Sequence, residues 1–157
     1  MKYYILGLVF LLIANRTNAS VDEEKNVPQS FILKLTKGEN IKIAALGTSL
    51  TGGTWRWLDV MKEWLETDYS GQITYFNEGV GASASSYPPE NCGLEKVKIV
   101  AGYKPDVVFI EFAINDAYKP YNISVEESRK NLESMINALK EADPEVEIIL
   151  QTMNVVD

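Results

Sequence analysis

Ser49 stands in Gly47-Thr48-Ser49-Leu50-Thr51-Gly52-Gly53, after the apolar run 41–46 and close before a helix-like segment. A hydroxyl there projects from the edge of a sheet, where helix N-terminal dipoles favour a developing negative charge. Asn77-Glu78-Gly79-Val80-Gly81-Ala82-Ser83 carries mostly small side chains, so its backbone N–H groups can approach an oxyanion closely. Asn115, in Ala113-Ile114-Asn115-Asp116, adds a side-chain amide donor after a third apolar run. A hydroxyl with convergent N–H donors is equipment for acyl transfer. Taken singly, each piece has a plainer reading: Ser49 as a turn or N-cap serine, Asn115-Asp116 as a turn after a strand. Their joint occurrence reverses those odds.

The surrounding pattern supplies elements that would bring the three segments together. Strands are expected at 41–46, 72–76, 106–114 and 146–153, the third apolar except for Glu111. Leu58, Met61 and Leu65 recur at helical spacing within 54–69, and a short helix is expected near 94–102. Ser124 and Glu127 form a capping box opening a helix whose apolar stripe is Val125, Leu132, Met135, Ile136 and Leu139. Strands alternating with helices predict an α/β fold: a three-layer α/β/α sandwich on a parallel sheet, with ligands at the carboxyl ends of the strands. The loops after the first three strands should then face one another.

Gly47-Thr48-Ser49-Leu50-Thr51 resembles the nucleophile block of the SGNH (GDSL-like) hydrolases, with Thr48 where the Gly-Asp-Ser-Leu form has aspartate. Residues 77–83 resemble the second block of that family, and Glu111 to Asp116 its Gly-x-Asn-Asp block, with Ala113 replacing the glycine. The resemblance covers about 40–157 and implies a flavodoxin-like fold and a serine esterase without metal or organic cofactor. It makes Ser49 the nucleophile. The oxyanion donors would be the Ser49 N–H, a second-block N–H (Ala82, ahead of the neighbouring Gly81) and the Asn115 side chain, with Thr48 and Asp116 in support. The implied substrate is a small ester or an acylated carbohydrate.

The family's Asp-x-x-His block is missing, and the chain contains no histidine. Asp157 comes immediately after the fourth strand, too early to be that block's aspartate. Without a base a serine hydroxyl is a poor nucleophile, so catalysis is expected to be weak and the domain incomplete at its C-terminus, with an exposed strand edge or apolar surface. The alternatives are a non-catalytic binding module or inactive fragment of the same fold, and a nucleotide-binding domain. The last rests on Gly79-Val80-Gly81-Ala82-Ser83-Ala84, which fits a dinucleotide fingerprint that Pro88 and Pro89 argue against.

The net charge of −7 with dispersed cations leaves nucleic acid without an electrostatic footprint. Lys2, the apolar run 3–14 and Thr17-Asn18-Ala19 read as a signal peptide, 1–19, for a secreted or periplasmic protein; an uncleaved anchor is the alternative. Residues 20–39 read as a leader and 40–157 as the hydrolase-like domain. Cys92 is a single cysteine without a disulfide partner, read as a small loop residue. Trp55, Trp57 and Trp64 read as packing on the first helix rather than a sugar-stacking platform. Asn122-Ile123-Ser124 fits the N-glycosylation pattern.

Overall fold

In the computed structural model, which describes residues 30–152, the apolar runs form β1 (Ile41–Gly47), β2 (Ile73–Gly79), β3 (Val107–Glu111) and β4 (Glu147–Leu150). They pair in parallel in the order β2-β1-β3-β4. Gly47 lies opposite both Gly79 and Glu111, so the carboxyl ends of β1, β2 and β3 finish level. The chain passes from β1 to β2 on one side and then crosses to β3 on the other, which opens a crevice between β1 and β3.

The helices are α1 (Ser30–Thr36), α2 (Ser49–Gly52), α3 (Trp57–Asp68), α4 (Gly93–Tyr103), α5 (Ala113–Asp116) and α6 (Val125–Ala142), with a 3-10 turn at Lys119–Tyr121. Successive residues of a strand point to opposite faces, and β1 uses both. Ile43 and Ala45 pack with Phe31 and Leu35 of α1 and Leu58 and Leu65 of α3. Ala44 and Leu46 pack with Val97 and Val100 of α4 and Met135 and Leu139 of α6. Two apolar layers on one parallel sheet are the expected three-layer α/β/α sandwich. Among the described residues β4 pairs with β3 alone.

Several local features differ from the sequence reading. Helix α1 lies inside the 20–39 stretch read as a leader, yet Phe31 and Leu35 are buried in the core, each contributing about 1.5–3 kcal/mol by burial. β2 continues through Asn77 and Glu78 to Gly79, because these residues keep pairing with β1. β3 ends at Glu111, and Ala113–Asp116 is a helical turn instead of strand. Ser124 Oγ does accept the Glu127 N–H at 3.1 Å, but the Glu127 carboxylate accepts from Ser86 Oγ at 3.4 Å. Val125 is 89% exposed and leaves the apolar stripe. Of the tryptophans, Trp57 packs on Phe109 with ring centroids 5.3 Å apart, whereas Trp55 and Trp64 are exposed, at 91% and 53%. The signal peptide 1–19, residues 20–29 and Asp157 lie outside the described residues.

Candidate active site

At the end of β1 the chain turns through Thr48, the N-cap of α2. Its Oγ1 accepts the Leu50 N–H at 3.2 Å and donates to Glu111 Oε2 at 2.8 Å. The same carboxylate oxygen accepts the Thr48 N–H at 3.2 Å and Thr51 Oγ1 at 3.1 Å, while Thr51 Oγ1 accepts the Trp57 indole N–H at 3.3 Å. Glu111 is 8% exposed. Burial raises its carboxyl above the ordinary range; the hydrogen bonds from Thr48 and Thr51 oppose the shift, and the charge of Asp116 adds to it. Thr48, where the family consensus has aspartate, thus fastens the turn to a carboxylate on the neighbouring strand.

Ser49 follows, exposed, as the first residue of α2. A helix of one turn has little dipole, so what it offers is its unsatisfied N–H groups. Among the described residues neither the N–H nor the hydroxyl of Ser49 has a hydrogen-bond acceptor. The second-block loop lies directly against this turn. A Cβ on Gly52 would fall 2.2 Å from the Gly79 carbonyl oxygen, and one on Gly79 would fall 2.3 Å from the Gly52 nitrogen. Only two glycines let these backbones touch. The Asn77 amide donates to the Thr51 carbonyl at 2.9 Å, and the Val80 N–H donates to the Gly47 carbonyl at 2.9 Å.

Gly81 and Ala82 come next, and a Cβ built on Gly81 would lie 3.9 Å from that of Ser49. Ala82 adopts the left-handed conformation, φ 58°, at a cost of about 1 kcal/mol for a residue with a Cβ. Its carbonyl accepts the Tyr121 hydroxyl at 2.8 Å, and its N–H has no acceptor among the described residues. The Asn115 side-chain N–H donates to the Ser83 carbonyl at 2.6 Å, which spends one of its two donors. Asp116, 4% exposed, accepts the Ser85 N–H at 2.8 Å and the Ser128 hydroxyl, tying the loop to α6. Ser49, Gly81, Ala82, Asn115 and their supports thus belong to one connected patch.

Sequence reasoning missed three contributors. Glu111 was visible as the single charge in an apolar strand, a signal that it needs buried partners. The Gly52 and Gly79 contact and the Tyr121 hydrogen bond join residues far apart in sequence and had no local signal. Helix α4 begins at Gly93, beyond the loop that follows Gly81, so the helix a dinucleotide fingerprint requires is absent from the glycine turn. Cys92 is buried at the N-cap of α4.

The sequence pattern of the GDSL-like Lipase/Acylhydrolase family matches residues 45–157. The fold is similar to that of a two-domain esterase (CEX) active on acetylated mannans, with a TM-score of 0.64 at 23% identity over 78% of this chain and 32% of that one. It is also similar to a lipase/acylhydrolase from Enterococcus faecalis, with a TM-score of 0.58 at 31% identity over 70% of this chain and 55% of the other. A carbohydrate acetylesterase family member from Sinorhizobium meliloti has a TM-score of 0.55 at 18% identity, over 66% of this chain and 55% of its own. The chain therefore spans between a third and somewhat over half of these structures. No curated protein matches it.

Proposed function

Because the chain belongs to the GDSL-like lipase/acylhydrolase family, we propose that it binds carboxylic esters with the carbonyl carbon at Ser49 Oγ. The carbonyl oxygen then lies toward the Ser49 and Ala82 N–H groups and the second N–H of Asn115. One observation carries this reading: the loop bearing Gly81 and Ala82 lies close enough that a Cβ built on Gly81 would stand 3.9 Å from that of Ser49, while the Ser49 and Ala82 N–H groups keep no acceptor among the described residues. Both residues are exposed, so these N–H groups face water and can turn to a transient oxyanion formed at the Ser49 hydroxyl. Gly81 is the alternative second-block donor.

In the acyl-transfer step the Ser49 oxygen bonds to the carbonyl carbon, its proton passes to a base, and the carbonyl π electrons move onto oxygen, where the N–H groups stabilise them. Collapse expels the alcohol and leaves an acyl-serine for water to cleave. The chain's 157 residues include no histidine, so these residues supply the nucleophile and the electrostatic stabilisation but not an imidazole base. O-acylated carbohydrate as substrate is supported by the fold's likeness to an esterase active on acetylated mannans. The hydrophobic segment 3–14 supports export through a signal peptide.

The test is incubation with a reactive aryl acetate in the presence of imidazole as an external base, followed by mapping of acetyl adducts by peptide mass spectrometry. An adduct on Ser49 that disappears in Ser49→Ala supports the assignment. Labelling confined to other residues removes Ser49 as the nucleophile.

A further inference from the structure

Three tyrosines that the ester chemistry leaves unused form one surface beside the Ala82 loop. Tyr87 comes from the segment after β2, Tyr118 and Tyr121 from the segment after α5. The rings of Tyr87 and Tyr121 have centroids 4.7 Å apart, and Tyr118 meets Tyr121 edge-on at 5.2 Å. Tyr118 and Tyr87 are nonetheless about half exposed, at 55% and 46%. Aromatic rings braced by one another but left open to water are low-entropy anchors for a ligand.

The cluster is joined to the candidate oxyanion donors by short links. Tyr121 donates its hydroxyl to the Ala82 carbonyl at 2.8 Å, and the Tyr118 N–H donates to the Asn115 carbonyl at 3.0 Å. Ala82 follows Gly81, on which an added Cβ would stand 3.9 Å from that of Ser49. A group resting on the tyrosines therefore adjoins an ester carbonyl at Ser49.

We propose that Tyr87, Tyr118 and Tyr121 form a subsite for a pyranose ring, so that the alcohol part of the substrate is a carbohydrate. A pyranose presents apolar C–H faces inside a rim of hydroxyls. Stacking on a phenol ring removes the apolar face from water while hydroxyls on both partners stay solvated or pair. An alkyl chain gains less on such a surface, because its burial needs a concave apolar site. A nucleobase also stacks on aromatics, but the phosphates joined to it meet a chain of net charge −7. The link to Ser49 rests on the ester-hydrolase reading; the stacking does not.

Mannopentaose, cellopentaose and xylopentaose, which carry no ester, are titrated into the intact chain and binding is followed by NMR. At least one is expected to bind, with Tyr118→Ala and Tyr87→Ala each weakening it about tenfold, as truncation of an aromatic anchor does. Tyr118→Phe, which keeps the ring face, should retain the affinity, and circular dichroism verifies that each variant is folded. Binding of none of the three, or equal affinity in both alanine variants, overturns the proposal. Sugar binding without acylation of Ser49 upholds the subsite and removes the ester reading. Acylation of Ser49 without sugar binding does the reverse.

Discussion

Glu111 and Asp116, at the carboxyl end of the sheet, and Asp106, at its amino end, are handled in opposite ways. At the carboxyl end Glu111 and Asp116 are buried along with Thr48, Thr51, Ser83 and Ser85. Their partners there are hydroxyls and backbone N–H groups, and among the described residues no cation pairs with either. At the amino end Asp106 accepts the Lys42 N–H at 2.8 Å and forms an ion pair with Lys34, in partial contact with water. A buried carboxylate with neutral partners costs stability relative to a solvated, cation-paired one. Stability alone would favour the second arrangement at both ends. The first is found where backbone N–H groups have to be held in one orientation, around Ser49 and Ala82.

The sharpest way to break this comparison is to part the two backbones that the carboxyl end brings together. A methyl at Gly79 would sit 2.3 Å from the Gly52 nitrogen and 2.8 Å from its Cα. Neither atom is the end of a flexible side chain, so the turn carrying Ser49 and the loop carrying Ala82 must separate. Gly79→Ala is expected to lose about 3 kcal/mol or more in urea unfolding, at the upper end of overpacking effects. A loss under about 1 kcal/mol, the ordinary size for a single substitution, would mean that the contact is not what unites the loops.

The sheet, its helices and the Ser49 segment were legible because they rest on local signals. A run as short as Ile41 to Leu46, rich in isoleucine and followed by a glycine turn, reads as a strand covered on both faces, as found, and the three-and-four spacing of Leu58, Met61 and Leu65 has no strand equivalent. Boundaries failed where pairing overrode composition: Asn77 and Glu78 have loop character, but their backbones are held by β1. Helix α1 was missed because a seven-residue helix burying only Phe31 and Leu35 is too short for a periodic pattern. The site's bracing was only half visible. Glu111 advertised itself as a charge in an apolar strand, whereas which hydroxyls answer it depends on the register of Gly47 against Glu111.

A finer test of the contrast uses pH. The Glu111 carboxyl is raised above its ordinary value, so between the unfolded value and the raised folded one the native state holds more proton than the unfolded state. The contribution of Glu111 to stability is therefore fully present below the unfolded value and is lost as pH rises through the folded one. A glutamine there cannot titrate. Glu111→Gln should gain on the native chain in thermal melting as pH rises from about 4 to about 7, the span above the ordinary carboxylate value, with a smaller effect than that of Gly79→Ala. The opposite trend would mean that the hydrogen bonds from Thr48 and Thr51 outweigh burial, and the carboxyl end would no longer be the costly one.

The smallest effect belongs to the amino end. Lys34 has a side chain 41% exposed and Asp106 one 22% exposed, so water and salt screen their attraction. Removing the cation leaves Asp106 with the Lys42 N–H as partner, and no buried charge is stranded. Methionine has nearly the helix propensity of lysine, so α1 is not otherwise disturbed. Lys34→Met is expected to cost about 0.5 kcal/mol at low ionic strength, and the difference from the native chain should shrink as salt is added. A cost of about 3 kcal/mol that salt did not touch would mark Asp106 as an effectively buried charge. Asp106 and Glu111 would then differ only in which donors they use, and burial would no longer set the Ser49 end apart.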